Sequence, residues 1–370
     1  MKTFCAYFNE KKCHSCKLIE LDYSTQLKMK EAKLNLSPLA PTFSSPKLHF
    51  RNKAKFTVTG TVQAPVIGLL GESNLDEGRE ILECPLHHPK INQILPGIKK
   101  FITLANLTPY QISNKTGELK GLILFYSVHS DEMYLRFVLR SKEAITRIKK
   151  YLPELQIPYL KCISANIQPI AHAILEGKEE IILSEKHFIR HQLKDISLTL
   201  TPQAFVQTNQ IVAESLYQTA ANWIEDLKIN KFLELYCGQG AFSFFVSNFI
   251  KQGLGIEINA EAIKQATQTA RSLNLNHLEF KCSDSAHTKN DIESFSPDLI
   301  LVNPPRRGLS ETALLLKETQ SPYIIYSSCS YESLQEDLTI LTNYKVMKAQ
   351  IFDMFPHTEH FETLVLLQRL

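Results

Sequence analysis

Three side chains suited to covalent chemistry stand at the ends of apolar runs in the second half of the sequence. Tyr326-Ser327-Ser328-Cys329 places a cysteine just beyond the run that begins at Tyr323, and His360-Phe361-Glu362 places a carboxylate at the entrance to the last apolar run. Asn303 opens the loop Asn303-Pro304-Pro305-Arg306-Arg307-Gly308, whose prolines stiffen the backbone and present an amide that can donate and accept along the edge of a base. A thiol, a base and an edge-reading amide are what methylation at C5 of uracil requires. That carbon is too weak a nucleophile to attack a sulfonium methyl unaided. A thiolate adding to C6 makes C5 an enolate carbon, and a base must then remove the C5 proton. Cys329, Glu362 and Asn303, with Gln207 as a second choice for the amide, can fill those roles. Each also has a plain reading, as a packing thiol, a surface acid or a solvent turn. Cys162 and Cys282 read as buried small hydrophobes, and Cys237 as packing.

The elements that must position these groups follow from periodicity. Val212, Leu216, Ala220, Trp223 and Leu227 recur at helical spacing, and Lys231–Tyr236 reads as a buried strand. Further strands are expected at Leu254–Glu257, Leu278–Cys282, Leu299–Val302 and Tyr323–Tyr326, alternating with helices such as Ala260–Leu273. That alternation predicts a doubly wound sheet with its site at the carboxyl ends of the strands. Lys345–Phe352 and Phe361–Leu367 read as an antiparallel hairpin added to it. Tyr236-Cys237-Gly238-Gln239-Gly240 follows the first strand, where glycines let backbone approach a nucleotide-like ligand. Glu257 ends the second strand, where a carboxylate can take both ribose hydroxyls. Ser243 replaces the third glycine of a dinucleotide fingerprint, which favours S-adenosylmethionine over a pyrophosphate cofactor.

Ahead of this region, Leu48 to about Ser184 is rich in short β-type runs, such as Lys55–Thr59 and Leu122–Tyr126, with a helical pattern near Ile91–Leu104. It reads as an α+β domain of antiparallel strands. The proline-rich stretch Ser37–Pro46 reads as a linker, and the Lys-rich stretch before it as a short helix. Charge is unevenly divided: residues 1–190 hold 27 Lys and Arg against 18 Asp and Glu, whereas residues 191–370 hold 14 against 20. A polyanion facing the front half is the expectation, with Lys47, Arg51, Lys53 and Lys55 on phosphates and Phe50 and Phe56 stacking on unpaired bases. The N-terminus lacks a signal-peptide core, and the longest uncharged run is broken by polar residues and glycines. A cytoplasmic protein with no membrane partner is expected. Eight cysteines in 370 residues without an export signal do not read as a disulfide framework. Cys5, Cys13 and Cys16, with Cys84-Pro85 as a fourth thiol, suit zinc or an iron–sulfur cluster, and spacing alone does not separate the two.

In chain order, Phe205-Val206-Gln207-Thr208-Asn209, Leu235–Phe242, Asn303–Gly308, Tyr326–Cys329 and His357–Glu362 resemble the motifs of the RNA uracil-C5 methyltransferases. The likeness spans essentially the whole chain. It implies a C-terminal Rossmann-like methyltransferase domain at 201–370, a central RNA-binding domain at 47–200 and a Cys-rich iron–sulfur segment at 1–36 completed by Cys84. By the same likeness Gln207, Tyr236, Gly238, Glu257 and Asn303 bind S-adenosylmethionine, and Asp284 is expected to reach the adenine. Cys329 is then the nucleophile and Glu362 the base. Cys5, Cys13, Cys16 and Cys84 would hold a 4Fe–4S cluster, as ribosomal-RNA members do and the tRNA member does not. Phe50–Lys55, Leu135–Arg140, Asn166–Pro169 and Phe352–Pro356 resemble the compact ribosomal branch, and the cysteines begin too early for the extra N-terminal barrel of another branch. The implied partner is 23S rRNA, bound by a monomer at a single-stranded loop from which the uracil is flipped. Ser330 follows the nucleophile where family members usually have Asn, and Ser keeps a small hydrogen-bonding side chain there. Two other classes stay open on residues alone: an amino-group methyltransferase, for which Arg306 stands where a stacking aromatic is usual, and an RNA-binding protein without activity.

Overall fold

Lys231–Leu235 becomes the strand from which an eight-stranded sheet is built in both directions. The computed structural model describes residues 2–71, 74–170 and 176–370. The sheet runs in the order Leu39–Phe43, Tyr344–Phe352, Glu362–Arg369, Tyr323–Ser328, Leu299–Val302, Lys231–Leu235, Gln252–Glu257 and Leu278–Cys282. The last five in that order are mutually parallel, as expected for a doubly wound sheet. Their apolar runs are continuous because both faces are covered. Phe232, Leu299 and Leu301 lie in one core cluster, and Leu233, Leu235, Ile300 and Val302 in another. Glu362–Arg369 enters antiparallel between two earlier strands, so the expected hairpin is present and its second strand is internal.

The chain divides differently from the expected 1–36, 47–200 and 201–370. One compact unit contains Met1–Glu20, Lys47–Gln192 and Thr199–Gln203, and the other Leu21–Pro46, Leu193–Leu198 and Ala204–Leu370. The stretch read as a linker is in part a strand: Leu39–Phe43 pairs in parallel with Tyr344–Phe352. It tolerates Pro41 because it is the sheet's edge, paired on one side only. The Lys-rich stretch forms the helix Tyr23–Lys33, which belongs to this second unit rather than to the cysteines before it.

The first unit is a seven-stranded sheet covered on one face by the helix Pro89–Leu104, whose Ile91, Ile94, Leu95, Ile98 and Ile102 are buried at helical spacing. Its strand pairs are antiparallel with one exception. Glu132–Leu139 runs parallel to Leu160–Ile167, which the crossover helix Ile145–Tyr151 makes possible. On this sheet Arg136 is 1% exposed, its guanidinium bidentate to Glu180 at 3.0 and 2.6 Å and bonded to Glu176 at 2.5 Å. No helix among the described residues is long and apolar enough to cross a membrane. Removing one side of a buried charge network strands the other. Arg136→Ala is therefore expected to lower the unfolding free energy by about 3–5 kcal/mol in urea titration. A loss below about 1 kcal/mol would show that Glu176 and Glu180 find other partners or protonate without penalty.

Candidate active site

Strand register brings the expected nucleophile and base together. Ser328 pairs with Thr363 across the antiparallel ladder, so Cys329, leaving one strand, and Glu362, opening the other, occupy the next position. Glu362 is 2% exposed. Burial pushes its carboxyl pKa up to about 8, while a hydrogen bond from Gln207 and the charge of Arg306 pull in the opposite direction. Its Oε2 has no hydrogen-bond partner. The Cys329 thiol is also raised, by burial first and then by the charge of Glu362, and it is lowered by the charge and a hydrogen bond of Arg306. One guanidinium thus acts on both groups. In the sequence, Arg306 argues only against an amino-group methyltransferase. Its signal was available, as a fixed cation three residues beyond Asn303 in a proline-stiffened loop, but nothing in the sequence says toward which strand it points. Ser330, in place of the usual Asn, caps the helix Tyr331–Ile340 by accepting from the Ser333 amide at 3.3 Å. Ser and Asn are comparable N-caps, so that local role survives the exchange.

The glycine turn lies at the same end of the sheet. Tyr236, Gly238 and Gly240 have φ of 60°, 54° and 81°, which reverses the chain sharply into the helix Ala241–Val246. A Cβ on Gly240 would lie 2.8 Å from the Phe280 ring, whereas one on Gly238 would meet open space. The Gly238 amide donates to Glu257 Oε2 at 3.2 Å, and the Asn259 amide to Oε1 at 3.0 Å, so the carboxylate is aimed by backbone. Tyr236 is held through its hydroxyl to Thr312 at 2.8 Å. Asp284 is exposed, accepts the Ala286 amide at 3.0 Å and bears electrostatically on Tyr236. Asn303 is half-buried directly after the Leu299–Val302 strand. Phe205, two residues before Gln207, is 73% exposed, which is unusual for an aromatic ring. Cys237 and Cys162 are buried as expected, but Cys282 is exposed, because its strand lies at the sheet's other edge.

In the first unit, Cys5, Cys13, Cys16 and Cys84 share one electrostatic neighbourhood. Burial and the other three thiols push the Cys16 pKa up to about 12. Burial raises the Cys84 thiol pKa as well, against the backbone amides of Leu86 and His87, which pull it down. Among the described residues, however, no three His, Cys, Asp or Glu side chains are arranged to hold a metal ion. The expected RNA-gripping strand is corrected. Phe50 and Phe56 are 8% and 3% exposed, and Phe56 belongs to the core, because alternate residues of its strand face the helix. Arg51 turns toward Cys84 and Cys16, and Lys55 pairs with Glu176 at 2.6 Å. Of that set, Lys47 and Lys55 are exposed.

The fold is that of a methyltransferase. It superposes on a tRNA (uracil-54, C5)-methyltransferase of Pyrococcus abyssi, solved with S-adenosyl-L-homocysteine, with a TM-score of 0.78 over 95% of this chain and 85% of that one, at 24% identity. Within that class the chain belongs to the tRNA (uracil-5-)-methyltransferase family, whose sequence model matches residues 22–370. Relatives called 23S rRNA (uracil(747)-C(5))-methyltransferase RlmC, from Actinobacillus pleuropneumoniae and Proteus mirabilis, are each 42% identical over 98% of this chain and 98% of their own. A protein of the same name from Haemophilus influenzae is 39% identical over 99% of the chain.

A carboxyl raised from 4.5 in the unfolded chain to about 8 when folded binds its proton more tightly in the native state across that interval. Its contribution to stability is present below the lower value and is lost as pH rises through the upper one. Glu362→Gln should therefore stabilise the fold by about 1–3 kcal/mol at pH 9 and by much less at pH 5, read from thermal melts at both pH values. An equal effect at both would show that Glu362 is ionised throughout.

Proposed function

We propose that this protein transfers a methyl group from S-adenosylmethionine to C5 of a uracil in 23S rRNA, uracil 747, through a covalent Cys329 adduct, working as a cytoplasmic monomer. The observation that carries the chemistry is the buried Glu362 carboxyl, with one unpartnered oxygen, set by register beside Cys329. The 747 assignment rests on relatives of that name matching along nearly their whole length.

In this reading Cys329 Sγ adds as thiolate to C6 of the flipped uracil, and the C5–C6 π electrons move onto C5 and the O4 carbonyl. C5 then attacks the sulfonium methyl. The carbon–sulfur bond breaks, and S-adenosylhomocysteine leaves as a neutral thioether. The Glu362 carboxylate takes the C5 proton, the C5–C6 double bond re-forms, and the thiolate is expelled. Arg306 lowers the cost of both anions in a site that burial makes hostile to charge. Gln207 orients the carboxyl that it hydrogen-bonds. On the cofactor side Glu257 takes the ribose hydroxyls, Asp284 the adenine, and Tyr236, Gly238 and Asn303 line the approach to the methyl donor. Exposed Phe205 supplies a face on which a base can stack.

Cys5, Cys13, Cys16 and Cys84 are proposed to hold a 4Fe–4S cluster. Cys84, Cys13 and Cys5 all bear on Cys16, and the two amides on Cys84 and the neighbouring Arg51 suit an anionic thiolate centre, although no three of these side chains are arranged to hold a metal ion. Bound there, a cluster would fix the 1–20 segment to the turn after Cys84, and methyl transfer itself asks no electron of it.

Cys329→Ala should abolish methylation by at least about 1,000-fold while leaving S-adenosylhomocysteine binding intact. Glu362→Gln should accumulate an RNA–protein adduct that survives denaturing electrophoresis. Methylation surviving in the alanine variant would rule the covalent route out. Mapping 5-methyluridine in 23S rRNA with and without the gene tests the target, and loss at a position other than 747 would move the substrate without touching the chemistry. Protein purified without oxygen should absorb broadly in the visible and contain iron; colourless, iron-free protein would dismiss the cluster.

A further inference from the structure

The helix Tyr23–Lys33 presents polar side chains to the interior. Gln26 is 1% and Lys30 2% exposed, so the face it buries was bound to read from sequence as solvent-facing. Lys30 Nζ donates to Asp353 Oδ1 at 2.5 Å and to the Phe355 carbonyl at 3.1 Å. The Tyr23 hydroxyl donates to Asp353 Oδ2 at 2.6 Å and accepts the Ser45 amide at 2.8 Å. Ser45 Oγ accepts from Asn209 Nδ2 at 2.7 Å, which also reaches the Met354 carbonyl at 3.3 Å. Gln26 Oε1 accepts the His357 amide at 2.9 Å, while its Nε2 lies 3.2 Å from His357 Nδ1. His357 has a φ of 64°, a conformation that a residue with a side chain adopts at a penalty and keeps where its surroundings hold it.

These bonds tie together segments that adjoin the active site in sequence. Asp353 to His357 is the segment that leads into Glu362, and Asn209 lies two residues beyond Gln207, whose side chain bonds Glu362. Tyr23 and Ser45 bridge the two segments. A buried Lys–Asp pair is a poor source of net stability, since an apolar pair of equal size would do as well. What it supplies is direction, because each oxygen and nitrogen has one position that satisfies it.

We propose that the helix Tyr23–Lys33 is a positioning element of the catalytic site, fixing the 353–357 segment and the Asn209 end of the Gln207 segment so that Gln207 meets Glu362. This rests on Glu362 acting as the base. The groups facing Glu362 are Gln207, Arg306 from the loop after Leu299–Val302, Cys329 from the neighbouring strand and Tyr217 from the helix Gln210–Leu227.

The test uses full-length protein and an rRNA fragment tritiated at C5 of the target uracil, in single turnover. Two variants are compared with the native chain: Tyr23→Phe, which removes one hydroxyl, and Lys30→Met with Asp353→Leu, which removes the pair without stranding a charge. Adduct formation and S-adenosylhomocysteine affinity should stay within about twofold of the native protein. Tritium release should slow by about tenfold or more, and its pH midpoint should move upward, since the Gln207 donor that favours the carboxylate is misplaced. Native-like release with an unmoved midpoint, even with a lower melting temperature, would make the helix merely structural and overturn the proposal. Glu362→Gln is the control on the reading beneath it: if that variant releases tritium at the native rate, the base assignment fails whatever the helix does.

Discussion

A carboxyl group kept out of water beside a thiol is the constraint around which the catalytic unit is arranged. Desolvation alone would hold both Glu362 and Cys329 neutral, and ionising either makes the other harder to ionise. The surroundings offer two corrections, a guanidinium from the Asn303–Gly308 loop and an amide from Gln207. Both come from segments remote in sequence from the groups they serve. Correct placement to a fraction of an ångström therefore depends on how four separate chain segments meet. That dependence explains why polar bonds concentrate behind the site, where apolar packing would have been enough for stability.

Much of this was legible in the residues because strand periodicity and strand ends are local signals. Cys329, Glu257, Asn303 and the glycine turn each stand at the carboxyl end of a continuous apolar run, and a doubly wound sheet gathers those ends at one edge. What could not be read are features decided by tertiary context. Arg306 is one of two adjacent arginines, and only the folded loop shows which acts on Cys329. Prolines argued for a linker at 37–46, whereas an edge strand accommodates Pro41 at an irregularity in its pairing between Ala40 and Phe43. The helix Tyr23–Lys33 buries a lysine and a glutamine, and no hydrophobic pattern announces a polar interface. Phe50 and Phe56 looked available for stacking because alternation does not say which face of a strand is covered.

The basic surplus of the front half also changes meaning. Arg136 is spent on Glu176 and Glu180 inside the first unit, and the half-buried Arg51 lies near Cys84 and Cys16. Formal charge counted along a sequence treats such cations as surface, but a buried and neutralised arginine contributes little to a long-range field. The attraction for a polyanion must come from lysines that stay in water, of which Lys47 is one.

The order in which the sheet is laid down carries a consequence for synthesis. The strand Glu362–Arg369 occupies an interior place between Tyr323–Ser328 and Tyr344–Phe352, and Leu39–Phe43 at the far edge waits for Tyr344–Phe352 to pair with. A nascent chain emerging from the ribosome can assemble the parallel half of the sheet early, yet it holds an open gap until the last strand arrives. During that interval two strand edges are exposed and the partial sheet is open to wrong pairing. Closing the sheet and placing Glu362 beside Cys329 are thus one and the same late step.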